Sequence, residues 1–175
     1  MIKERIKKHE KWLRGEEDGE KLVLINEDLH GIELKNVNLR GAFLGGIDFS
    51  GAKFVNVNFS EAFMAGTNFE KATGRNVNFS FSILEGSDFT SSRFKHSNFL
   101  QACLVGSDLC SCNFEGSSFL AANLSYSDMS YANVDYVNFA RAKMRETNVE
   151  GVDFRTANLS LVLDLENTDN EELGE

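Results

Sequence analysis

Residues 42–61 read AFLGG IDFSG AKFVN VNFSE, four consecutive five-residue units, each centred on a large apolar residue: Leu44, Phe49, Phe54 and Phe59. Two residues before these centres stand Ala42, Ile47, Ala52 and Val57. Followed outward, the spacing of five runs unbroken from Leu24 to Leu159, and all 28 centres are Leu, Phe, Met or Val except Gly74. Small or β-branched residues dominate the companion position throughout, as at Ala62, Ala72, Ser87, Ser92, Ser97, Ser107 and Ser117. A helix needs a period near 3.6, which a spacing of five does not supply over so many units. Inward positions two residues apart are strand geometry, and the residues left over in each unit can turn a corner.

The units AFLGG, VNFSE, SDFTS (87–91) and ANLSY (122–126) resemble the pentapeptide-repeat family, whose motif centres on Leu or Phe with a small residue two before it. The resemblance covers residues 22–161. It implies an all-β fold, a right-handed quadrilateral β-helix in which each unit forms one side and twenty residues complete a coil. A secondary period of twenty among outward residues is the internal test. Val23, Phe43, Phe63, Ile83 and Cys103 keep it, as do Gly46, Gly66, Gly86 and Gly106 and the amides Asn36, Asn56 and Asn76. Glycine at a corner suits a turn that needs positive φ. Twenty-eight units make seven coils, a solenoid roughly 34 Å long at about 4.8 Å per coil.

The organisation expected is a short N-terminal capping helix and linker over residues 1–20, the repeat body over 21–161, and an acidic tail over 162–175. Ile2, Ile6, His9 and Leu13 fall on one helical stripe that can cover an open solenoid end, and 161–165 (LVLDL) is expected to close the other. The chain has 175 residues and 42% hydrophobic content, enough for one domain. It opens without an apolar run behind basic residues and has no long apolar stretch, so neither a signal peptide nor a membrane span is expected. Cys103, Cys110 and Cys112 lie within ten residues and leave an odd thiol, which fits a reducing, cytoplasmic setting. The formal charge of −9 is unevenly placed: residues 1–20 sum to zero, 161–175 hold six acidic and no basic residues, and 21–160 carry only −3.

Sorted by side, the repeats give four unlike surfaces. The first carries Val23, Phe43, Phe63, Ile83 and Cys103, joined by Ile25, Ala65 and Val105. Outward Phe on a rod calls for a cover, and three are open: the N-terminal helix, a second copy, or another protein. The second is acidic, with Asp28, Asp48, Asp88, Asp108 and Asp128 at one position of successive coils and Asn68 and Asn148 completing the column. The third is mildly basic, with Lys35, Lys53, Arg75, Arg93 and Lys95 against Glu33, and reads as a solvated face that lacks the aromatic platforms of nucleic-acid binders. The fourth is an amide column, Asn38, Asn58, Asn78, Asn98, Asn138 and Asn158 with Ser118, expected to hydrogen-bond along the rod.

Chemistry leaves little trace. His9, His30 and His96 fall on three different elements, and Cys-x6-Cys-x-Cys matches no metal spacing. Gly74 is expected to be filled by the flanking phenyl rings of Phe54 and Phe94 rather than to open a cavity. The reading is therefore a protein without catalytic, metal or cofactor site, which acts as an interaction rod and self-associates through its first side, with no direct binding of nucleic acid or membrane. The family resemblance implies an alternative, a DNA-mimicking regulator of DNA gyrase that uses the acidic column. The charge of only −3 on the repeat body, the basic third side and the unbroken five-residue phase count against it.

Overall fold

Backbone pairing at an offset of twenty residues organises the chain, for which the computed structural model describes residues 2–164. The sequence period of five sets it up. In most units the N–H of the large central residue donates forward to the next coil, as from Leu44 to the Phe63 carbonyl at 2.7 Å. The N–H before it donates back, as from Phe43 to the Leu22 carbonyl at 3.0 Å. Each interior coil is thus bonded on both edges, and the pairing is parallel.

The regular strands are three residues long: β1 (Val23–Ile25), β2 (Glu33–Lys35), β3 (Phe43–Gly45), β4 (Lys53–Val55), β5 (Thr73–Arg75) and β6 (Arg93–Lys95). β1 pairs with β3 on the first side, and β2, β4, β5 and β6 pair in that order on the third. Full strand pairing therefore spans four levels at most, fewer than the seven coils expected. Beyond it the ladder continues as single parallel bridges, such as Asp28↔Asp48↔Asn68↔Asp88↔Asp108↔Asp128↔Asn148 on the second side. The reason is length: a side of five residues, two of them spent on the corner, leaves room for little more than one bridging residue. The result is a parallel β-solenoid with one N-terminal helix.

The corners are left-handed. From Asn26 to Leu161 every fifth residue except Thr156 has φ between 51° and 69°. Only nine of these positions are glycine, so pairing across coils, not glycine content, imposes the geometry on residues such as Phe81 and Tyr136. An i to i+3 turn bond accompanies it, as from the Ala42 N–H to the Leu39 carbonyl at 3.0 Å.

The interior is a set of ring ladders. Phe59, Phe79, Phe99, Phe119 and Phe139 stack with centroids 5.4, 4.8, 4.5 and 5.3 Å apart, close to the coil spacing. Phe49, Phe69 and Phe89 form a second stack. At Gly74 the Phe54 and Phe94 rings lie 6.2 Å apart at 20°, and a Cβ added there would meet Phe94 Cδ1 at 2.2 Å. The rings lean in and fill the gap, as expected. Several polar residues at the small inward position donate to a carbonyl one coil back, as Thr67 to Leu44 at 3.0 Å, Ser107 to Leu84 at 2.8 Å, and the Cys112 thiol to Phe89 at 2.8 Å, while Ser82 and Ser127 donate within their own turn. Such bonds let Ser, Thr and Cys replace Ala in a core at modest cost.

Helix α1 (Ile2–Leu13) covers the first edge. Ile6 and His9 are buried on the rod, with Ile2 and Leu13 half-buried. The first coil has no predecessor, so its edge groups lack backbone partners, and the helix supplies them. Glu10 Oε1 accepts the Asn38 N–H at 3.1 Å. His9 Nδ1 accepts the Leu22 N–H at 3.0 Å while Nε2 faces the Arg40 carbonyl at 3.2 Å. Those two bonds require the neutral ring protonated on Nε2. Arg5 adds a bond to the Val23 carbonyl and an ion pair with Glu27, both at the same edge. At the far end Leu163, within the segment expected to close the rod, bridges Lys143. The acidic tail from residue 165 onward lies outside the described residues.

Two outcomes follow from this packing. Burial holds the His9 imidazole below its ordinary value of 6.5, with a smaller opposing effect from the Arg40 carbonyl. The unfolded chain then binds the proton more readily than the folded one. The cap's contribution is complete above about pH 6.5 and is lost as pH falls through the depressed value. Thermal melts at pH 7 and pH 5 will show a larger drop for the parent than for His9→Gln, and His9→Ala will cost about 1–3 kcal/mol at pH 7. Gly74→Leu restores the regular motif yet will destabilise by about 1–3 kcal/mol through overpacking against Phe94, and Phe94→Leu in the same chain will recover part of it. Chemical denaturation checks both.

Candidate interaction faces

On the first side the outward column is continuous. Val23 pairs with Phe43, Phe43 bridges Phe63, Phe63 bridges Ile83 and Ile83 bridges Cys103. Val23, Ile25 and Ile83 are 48%, 57% and 40% exposed. Phe43 and Phe63 are only half-buried, and they cover one another. Their rings stack 4.5 Å apart at 10°, and both lie over Gly45, where a Cβ would stand 3.2 Å from Phe63 Cε1 and 3.5 Å from Phe43 Cε1. The absent side chain at Gly45 makes the bed for the rings. Cys103 and Val105 extend the strip, half-buried. Among the described residues, every hydrogen bond and ion pair from the helix to the rod lands between Leu22 and Arg40, within the first coil. The helix seals the end and leaves the strip open.

The second side brings Asp28, Asp48, Asp88, Asp108 and Asp128 into one bridged column with Asn68 and Asn148. Each carboxylate is engaged locally, its Oδ1 accepting the N–H two residues on: Asp48 from Ser50 at 2.9 Å, Asp88 from Thr90 at 2.7 Å, Asp108 from Cys110 at 2.9 Å and Asp128 from Ser130 at 2.8 Å. Asn58 and Asn138 on the fourth side make the same bond to Ser60 and Ala140. Asp or Asn before the centre is thus a turn-forming acceptor that frees the chain to enter its left-handed corner. At Asp28 the His30 N–H and then the His30 ring hold the carboxyl below its usual range, and Asp28 in turn raises the His30 imidazole. At Asp153 the Arg155 guanidinium, helped by its N–H, lowers the carboxyl to about 2.

On the fourth side the amide ladder forms. The Nδ2 of Asn58, Asn78, Asn98 and Asn158 donates to Oδ1 of Asn38, Asn58, Asn78 and Asn138 at 3.1, 3.2, 3.3 and 3.0 Å. A second amide ladder runs up a corner from Asn76 through Asn56 to Asn36. On the third side Lys53 pairs with Glu33 at 2.7 Å and Lys95 with Glu115 at 2.5 Å.

Sequence reasoning did not single out the corner aromatics Tyr126, Tyr131, Tyr136 and Phe81, although their place two residues after a centre points them outward. Arg145 lies over the Tyr126 ring, and the Tyr131 hydroxyl donates to Glu150. Burial raises the Cys112 thiol to about 12, which leaves it unreactive at neutral pH. Among the described residues no group of three or more His, Cys, Asp or Glu is placed to hold a metal ion. None of their helices is long and apolar enough to cross a membrane.

The family profile described as Pentapeptide repeats matches in eight copies over residues 32–70, 75–109, 102–135 and 122–160. No curated protein sequence matches the chain. Among solved structures, the chain is similar to QnrB1, a plasmid-mediated fluoroquinolone resistance protein, at 18% identity and TM-score 0.42 over 85% of this chain and 86% of that one. It is also similar to HetL from the cyanobacterium Nostoc sp. strain PCC 7120, involved in heterocyst differentiation regulation, at 22% identity and TM-score 0.36 over 86% and 81%. A pentapeptide repeat protein from the Arabidopsis thaliana thylakoid lumen aligns at 25% identity and TM-score 0.40 over 70% and 68%.

If the acidic column serves the turns, its charge is dispensable to the fold. Asp48→Asn, Asp88→Asn and Asp108→Asn together keep every turn acceptor, add amide donors along the ladder and remove stacked like charges. The triple variant will melt at or above the parent temperature, with about 0.5–1 kcal/mol gained per new ladder bond. A clear fall in the melting temperature would contradict the assignment.

Proposed function

The chain belongs to the pentapeptide-repeat family, and we propose that it is a non-enzymatic interaction rod that self-associates through its first side. The observation that carries this reading is the strip from Val23 to Cys103, continuous across five coils and left open by the helix that caps the end. A strip of that height spans about 20 Å. The column itself carries one charged neighbour, Glu85 beside Ile83, which accepts the Cys103 thiol at 3.2 Å, and is otherwise of the aromatic and aliphatic kind that excludes water at an interface centre. Two copies can lay these strips together, each filling the furrows beside the other's exposed Ile25 and Ile83 with the stacked Phe43 and Phe63 as a flat, rigid platform. Rigidity matters here, because rings already held against Gly45 lose little freedom on docking.

The acidic second side gives less support to a duplex-mimicking regulator of DNA gyrase. Its carboxylates each hold a backbone N–H, and the basic third side interrupts any continuous negative field. On the interaction-rod reading, micromolar protein leaves gyrase supercoiling unchanged with and without a quinolone.

Sedimentation of the full chain decides the main reading. The expected result is a dimer with a dissociation constant in the range of about 1–100 µM, as befits a small apolar interface. Ile25→Asp with Ile83→Asp, two exposed positions whose change spares the core, will give a monomer with an unchanged melting temperature. A parent that stays monomeric at high micromolar concentration would overturn self-association.

A further inference from the structure

The third side contains a recess that the repeat does not require. In the register of β4, β5 and β6, Lys53, Thr73 and Arg93 stand in one outward column and Val55, Arg75 and Lys95 in the other. Thr73 is the short member of its column, so Lys53 and Arg93 become walls and a space of about 450 Å³ opens between the columns. Gly74 and the strand at Phe54, whose ring is buried, lie beneath it, Val55 flanks it from its own column, and His96 borders it at the corner. Volume on this scale is that of a small-molecule site.

The charges around it are not equivalent. Lys53 and Lys95 are paired with Glu33 and Glu115, which leaves them close to neutral as pairs. Neither the Arg75 nor the Arg93 side chain has an ion-pair or hydrogen-bond partner among the described residues. Two guanidiniums thus face one recess on neighbouring coils with their donors unspent. A guanidinium keeps its charge and presents a planar fork of N–H groups that matches the oxygens of a carboxylate or phosphate. The Thr73 hydroxyl between them adds a neutral donor. An uncompensated charge of two, a surplus of donors and an apolar floor together select the ligand: a dianionic group with several acceptor oxygens, carried on a flat apolar body. A phosphate monoester has that charge near neutral pH and three terminal oxygens, whereas a single carboxylate would leave one arginine unmatched.

We infer that the third side holds a binding site for an aryl phosphate monoester, with Arg75 and Arg93 clasping the phosphate and the ring lying over Gly74. The site is independent of self-association, since it lies on a different side of the rod. It asks nothing of Lys53 and Lys95 beyond walls and a favourable field, so their acidic partners need not be displaced.

Titration of the full-length protein with phenyl phosphate at about 0.1 M salt, followed calorimetrically and by amide shifts, tests it. The expected result is saturable one-to-one binding with a dissociation constant below about 1 mM, with shifts centred on residues 73–75 and 93–96. Inorganic phosphate will bind at least about 5-fold more weakly for want of the ring, and phenol will not bind. Arg75→Gln and Arg93→Gln will each weaken phenyl phosphate about 10-fold or more, while Lys143→Gln on the first side will not. These substitutions are on exposed side chains, and an unchanged melting temperature confirms that the fold is kept. A phosphotyrosine peptide separates the sources: tighter binding than phenyl phosphate assigns the site to a protein-borne phosphate, equal binding to a free one. No saturable binding up to about 10 mM phenyl phosphate, or binding indifferent to loss of both arginines, would overturn the proposal.

Discussion

The left-handed corner repeated every fifth residue is the constraint on which the rest of the molecule depends. A chain that turns after each short side can return over itself only if each corner has the same sense, and positive φ supplies it. For a residue with a Cβ that conformation costs about 1–2 kcal/mol, yet most corners here are not glycine. What offsets the cost is register: with the corners in place, the N–H of each centre and of the residue before it find carbonyls in opposite neighbouring coils. Lose one corner and a side slips out of phase, exposing its apolar centre and breaking bonds in both directions.

Side-chain ladders then reinforce the same period. An Asp or Asn before the centre accepts the N–H two residues on, which stabilises the approach to the corner, and an Asn in that place also reaches its counterpart a coil away. Phenyl rings stack inside at the same spacing. Because backbone, amide and ring ladders share one offset, a single coil has little stability by itself and gains most of it from its neighbours. The ends are the weak points, and His9 and Glu10 answer this at the first coil with acceptors and donors that mimic a missing coil.

How much of this was legible follows from which interactions have a chemical signature. The centres announce themselves, since Leu, Phe and Met at every fifth place admit no other period, and the amide column of the fourth side was equally plain. The filling of Gly74 by Phe94 could be expected because a dry void costs more than a ring rotation. Corners were legible only where glycine or asparagine occupied them; Phe81 and Tyr136 gave no local sign of positive φ, because the neighbouring coils impose it. His9 could be placed on a buried stripe, but not the two backbone groups it serves. Gly45 carried a signal that went unused: a glycine beside two outward phenylalanines is where their rings can lie down. On the third side the sequence showed positive charges and summed them. Which were already neutralised by Glu33 and Glu115 depended on contacts between coils, and the two unpaired arginines emerged only from those contacts.

The four sides also constrain each other. In a four-sided coil the first and third sides face opposite ways, so a pair of rods joined along the apolar strip would present two recesses outward, on the far faces of the assembly. In that arrangement the strip and the cationic recess would not compete for surface. The second and fourth sides, with their aspartates and asparagines largely committed to turns and ladders, serve mainly to hold the other two at a fixed separation. A rod of this kind can carry two recognition surfaces without an internal cavity: its core fixes the geometry, and the five-residue phase decides which outward side chains become neighbours.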